Sequence, residues 1–104
     1  MNRIDRIMRK LVAQHLDNVK TIGPLSEREL TRAIRDAIIA EEDAVKQYET
    51  IVDSTSNAVV KKVLQDIANE EKVHVGELQA LLAMLLPDEQ AFLDEGAGEV
   101  EEMD

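Results

Sequence analysis

The chain has 104 residues, 22 of them acidic and 12 basic, for a net charge of −10 at pH 7. The absence of cysteine excludes disulfides, zinc-thiolate sites, iron–sulfur clusters and thiol catalysis together. Phosphates repel so anionic a body, which argues against nucleic-acid and anionic-membrane partners, and no apolar run approaches the roughly 18–20 residues of a membrane span. An apolar share of 44% is enough for a packed core, while 2% aromatic residues favour aliphatic helix packing over a β-sandwich. Two prolines and four glycines leave room for long helices, so the expected fold class is all-α. No export signal opens the chain, so a reducing, cytoplasmic setting is expected.

Residues 1–22 read as an N-terminal amphipathic helical arm, with Ile4, Ile7, Met8, Leu11, Val12, Leu16 and Val19 at helical spacing. This is the one basic stretch, carrying Arg3, Arg6, Arg9, Lys10 and Lys20. It fits a packing arm for the bundle or for a partner subunit, with a membrane-surface tether as the other reading.

Gly23-Pro24 breaks the chain, and Ser26 restarts it as an N-cap, with Glu29 closing a capping box and Leu25 placed to staple onto Leu30. Ile34, Ala37, Ile38, Glu41, Ala44, Val45, Tyr48, Ile51 and Val52 then form one stripe, which predicts a helix over about 27–53. A polar turn, Asp53 to Asn57, leads into a second stripe: Val60, Val63, Leu64, Ile67, Glu71, His74, Leu78, Leu81, Leu82 and Leu85. That stripe stops at Pro87, so residues 25–86 are expected to form an antiparallel helical hairpin. The segment 87–104 reads as a short helix, PDEQAFLDE, followed from Gly96 by an acidic, disordered tail.

Glu41 and Glu71 sit in the middle of apolar stripes, where an unpaired carboxylate costs several kcal/mol and must be neutralised, paired or bound to a cation. His74 follows Glu71 by three residues, on the same face and at a metal-chelating spacing. At about 1.5 Å per residue, Glu41 and Glu71 lie roughly 18 Å and 21 Å from the turn, level to within about 3 Å. The plainer alternative is a stripe edge where both acids reach solvent and His74 is a half-buried histidine.

A di-iron carboxylate centre in a four-helix bundle takes a Glu from each of two helices and a Glu-x-x-His from each of the other two. This chain holds half of that set. Position 12 is Val, so His15 offers no second Glu-x-x-His. The other half must come from a second subunit, and a two-fold homodimer of hairpins supplies four Glu and two His around two metals. Carboxylate oxygens with one imidazole per metal suit iron, or manganese and other divalent metals in vitro. Tyr48 lies about 10.5 Å from Glu41 toward the turn. If the hairpins pack with their turns at opposite ends, the axial gap from Tyr48 to the partner subunit's His74 is roughly 6 Å, about the length of a tyrosine side chain, so the Tyr48 hydroxyl would order the ligands there. A core aromatic with its hydroxyl at the rim is the competing role.

The run AIIAEEDAVKQYE…VLQDIANEEKVHVGEL, within about residues 27–86, resembles the encapsulated ferritins. The pattern is a Glu, a Tyr seven later, a Glu thirty after the first and a His three beyond it: Glu41, Tyr48, Glu71 and His74. The resemblance implies half a ferritin-like bundle completed by homodimerisation, rings of dimers, and a ferroxidase oxidising Fe²⁺ at a di-iron site between subunits. It also implies an encapsulin shell protein as partner and iron storage inside that nanocompartment. More broadly the chain is similar to rubrerythrin-type domains, which leaves a di-metal oxidase or peroxidase acting on O₂ or H₂O₂ as an alternative, and a metal-free dimerising hairpin as another. It has no cysteine for a rubredoxin-like centre. The ending GAGEVEEMD does not resemble the family's cargo tail, so either targeting differs or a shell protein follows in a longer chain. Ala40 and Ala44 stand near positions where some relatives carry accessory acids. Glu42, Asp43 and Glu70 are the candidates for guiding iron inward, with plain solvated surface as their other reading.

Overall fold

Ser26 opens the first long helix as the sequence predicts. Its hydroxyl accepts from the Glu29 amide at 3.1 Å, and Glu29 Oε1 accepts from the Ser26 amide at 3.0 Å, so two otherwise orphaned donors are satisfied. The computed structural model describes Arg3, Arg6, Ile7, Arg9, Lys10 and residues 24–103. Helix α1 runs Glu27–Ser54 and α2 runs Ala58–Leu85, 28 residues each. Asn57 caps α2, its side-chain oxygen accepting from the Val59 and Val60 amides at 3.1 Å each. The C-terminal end of α2 closes on a Leu86 amide bond to the Leu82 carbonyl, directly before Pro87. Among the described residues there is no strand, and the fold is the expected all-α hairpin.

The two helices pack along a seam of small and aliphatic side chains: Ala33, Ala37 and Val45 from α1, with Ala68, Val75, Leu78 and Leu82 from α2. Alanine at three of these positions lets the backbones come close. The largest fully buried side chains in this seam are not apolar. They are Glu41 and Glu71.

Helix α3, Glu89–Met103, differs from the expectation of a short helix and a disordered tail. Each glycine in a helix costs about 1 kcal/mol relative to alanine, but Gly96 and Gly98 are flanked by Ala97 and several glutamates, all good helix formers. Helix α3 makes only scattered contacts with the hairpin. An ion pair from Arg35 of α1 to Glu89 ties its start to α1. Arg3, Arg6, Ile7, Arg9 and Lys10 are helical. The rest of the expected arm over 1–22, His15 included, lies outside the described residues.

Candidate metal centre

Both central glutamates owe their burial to the register of the hairpin. Glu41 lies four residues after Ala37 and four before Val45, on the face of α1 that meets α2. Glu71 lies three after Ala68 and four before Val75 on the facing side of α2. They are 1% and 0% exposed. Three of their four carboxylate oxygens, both of Glu41 and Oε2 of Glu71, have no hydrogen-bond partner among the described residues.

Burial first, and then the adjoining Glu71 carboxylate, push Glu41 up from an ordinary value of 4.5 to about 8. Arg3 acts in the opposite direction on the same group. At neutral pH the metal-free chain therefore holds a proton on Glu41. Two buried acids at one level, one of them kept neutral, describe a site short of positive charge.

Arg3 supplies part of that charge. Its guanidinium donates to Glu71 Oε1 at 2.8 Å and to the Tyr48 hydroxyl at 2.7 Å, and its Cζ lies 5.0 Å from the centre of the Tyr48 ring. Tyr48 is half-buried. It is thus tied to Glu71 through a residue that the sequence places 68 positions away. Sequence reasoning missed Arg3 as a site residue. The only signal available was that the one basic stretch of an acidic chain needs a counterpart.

His74 stands apart from the carboxylate pair. Its side chain is 24% exposed, and Nδ1 lies 3.8 Å from Oε1 of the exposed Glu77, one turn further along α2. Within one chain, among the described residues, no three His, Cys, Asp or Glu side chains converge into a complete metal cluster. The structure therefore brings Glu41 and Glu71 together and leaves His74 and Tyr48 at their margin. Glu42, Asp43 and Glu70 are exposed on the outer surface, where Asp43 accepts from Gln47 at 2.8 Å.

Residues 24–102 match the rubrerythrin family. The chain belongs to that family of ferritin-like domains. A rubrerythrin-family hairpin that buries two glutamates accords with the likeness to encapsulated ferritins read from the Glu, Tyr, Glu, His spacing. The chain is 44% identical over 80 residues to a ferritin-like–encapsulin shell fusion protein of Pyrococcus furiosus, covering 77% of this chain and 23% of that one. It is 37% identical over 71 residues to the encapsulin nanocompartment cargo protein EncC of Myxococcus xanthus, covering 68% of this chain and 55% of that one. It thus spans about a quarter and about half of these two relatives. Among solved structures, the crystal structure of the encapsulated ferritin domain from Pyrococcus furiosus superposes with a TM-score of 0.77 at 43% identity, covering 79% of this chain and 84% of that one. No helix among the described residues is long and apolar enough to cross a membrane.

Proposed function

We propose that the chain is a ferroxidase that binds Fe²⁺ as substrate at a di-iron site assembled from two hairpins, Glu41, Glu71 and His74 coming from each. The observation that carries this reading is the pair of fully buried glutamates with three unpartnered oxygens. A buried carboxylate without a partner costs free energy that a hydrophobic residue of similar volume does not, and a bound cation would offset that cost. Carboxylate and imidazole donors fit iron or manganese. Each bound Fe²⁺ supplies one electron to an oxidant, so a pair supplies the two that reduce dioxygen to peroxide or peroxide to water.

The protein's own part is positional and electrostatic. Glu41 and Glu71 hold negative charge in a seam that excludes water, and cation binding expels the proton that Glu41 otherwise keeps. Completion by a second subunit is supported by what one hairpin leaves uncovered. Ile51, Val63 and Leu81, all members of the predicted stripes, remain 44%, 51% and 47% exposed, and among the described residues of one chain no three ligand groups converge. A second copy packed on this face would cover the stripe and supply the missing donors. The names of the relatives support the same setting: the chain acts with an encapsulin shell, as cargo or fused to it, inside that compartment. Its net charge of −10 favours Fe²⁺ accumulation around the protein.

The test is anaerobic loading with Fe²⁺ followed by air. Ferric absorption in the near ultraviolet is expected for the parent and is absent for Glu41→Ala/Glu71→Ala. Oxidation driven by hydrogen peroxide and not by air would instead assign the protective peroxidase activity. Iron oxidation by the double variant at the parent rate would overturn the site.

A further inference from the structure

The N-terminal arm does more than pack. We infer that Arg3 is a displaceable internal counter-cation, which occupies the carboxylate site in the metal-free chain and leaves when a divalent cation enters. The inference rests on the metal-site reading and extends it to a residue outside the hairpin.

Three observations carry it. The guanidinium makes an ion pair at 2.8 Å with a carboxylate that is itself 0% exposed, so it reaches a group otherwise closed to solvent. Its second nitrogen is held by Tyr48 and its plane lies near the Tyr48 ring, which fixes it at the site rather than in passing contact. The hold is nevertheless incomplete. The Arg3 side chain stays 38% exposed, and among the described residues both oxygens of Glu41 and the second oxygen of Glu71 have no hydrogen-bond partner. One half-exposed guanidinium therefore engages a single oxygen of the two buried acids. A divalent ion bound by both carboxylates carries twice the charge of that guanidinium, and Arg3, 2.8 Å from Glu71, opposes its entry by like-charge repulsion.

Two consequences follow from the competition. Removing Arg3 should weaken the metal-free fold and tighten metal binding, whereas a residue with only a packing role would leave affinity unchanged or lower it. Displacement also frees the Tyr48 hydroxyl, so metal entry releases the arm and hands Tyr48 to the loaded site.

The experiment is calorimetric titration of the full chain with Co²⁺, which is redox-silent here, for the parent, Arg3→Ala, Arg3→Gln and Arg3→Lys, with melting in chelator alongside. Arg3→Gln keeps a hydrogen-bond donor without the charge and guards against a variant that fails to fold. The expected result is that Arg3→Ala and Arg3→Gln bind Co²⁺ about tenfold more tightly, about the worth of one charge-assisted hydrogen bond, and melt lower when metal-free, while Arg3→Lys stays near the parent. Unchanged or weaker binding by Arg3→Gln, with Glu71→Ala abolishing it, would overturn the role of Arg3 and leave the metal site standing. Co²⁺ binding by Glu41→Ala/Glu71→Ala equal to the parent would overturn the metal site, and the role of Arg3 with it.

Discussion

Replacing Glu41 by Gln removes an ionisable group from the centre of the hairpin while keeping its size and polarity. In the folded, metal-free chain Glu41 titrates at about 8, against an ordinary value of 4.5, because it is buried and faces Glu71. A carboxyl raised in this way favours the fold while protonated. As pH climbs past about 4.5 the unfolded chain releases the proton and the folded chain keeps it, so stability is lost steadily until the folded group ionises near 8. Each unit of pH inside that window costs about 1.4 kcal/mol, so the parent should lose about 3 kcal/mol between pH 5 and pH 7 that Glu41→Gln does not lose. Acids remote from the pair contribute to both proteins and cancel in the difference, whereas Glu71, which interacts with Glu41, titrates with it as a pair. Urea unfolding followed by helical ellipticity, with chelator and at one protein concentration, measures it at a series of pH values. The advantage of the variant should be small near pH 5, grow toward pH 8 and level off above. A difference that is flat across this range would refute the assignment of the raised carboxyl to Glu41.

Two further substitutions probe separate features. Tyr48→Phe keeps the ring that Arg3 covers and deletes the hydroxyl. It should slow iron oxidation with little change in the amount of iron bound, and rates and stoichiometry both equal to the parent would leave Tyr48 a packing role only. Gly76 lies within α2 with nothing inside 4 Å of where a Cβ would sit. Gly76→Ala should therefore stabilise the chain by about 0.5–1 kcal/mol in urea unfolding, with Co²⁺ affinity unchanged.

The hairpin was legible because its punctuation is local. Ser26 and Glu29 mark one end, the polar stretch from Asp53 to Asn57 the turn, and Pro87 the stop, and each works within a few residues of itself. Glu41 and Glu71 were legible because each breaks an apolar stripe at the level of the other. The width of the stripe misled where periodicity alone defined it. Ala33, Ala68 and Val75 fill the seam, while Ile51, Val63 and Leu81 sit at the edge of it, because one partner helix covers only part of a broad apolar face. The helical tail through Met103 was hidden by its two glycines, whose cost its neighbours offset. Arg3 was hidden for a different reason. No local pattern links residues 68 positions apart, and only the folded hairpin brings the arm's guanidinium to Glu71.

Sedimentation of the metal-free and the Fe²⁺-loaded chain under anaerobic conditions, with bound iron assayed in the same fractions, tests most directly whether two subunits share one site. Glu41, Glu71 and His74 contributed from both sides predict about one iron per chain and at least a doubling of mass on loading, since metal and association are linked. Both changes should vanish in His74→Ala. Iron bound at that ratio to a chain whose mass stays the same over a wide range of concentration would contradict the shared site.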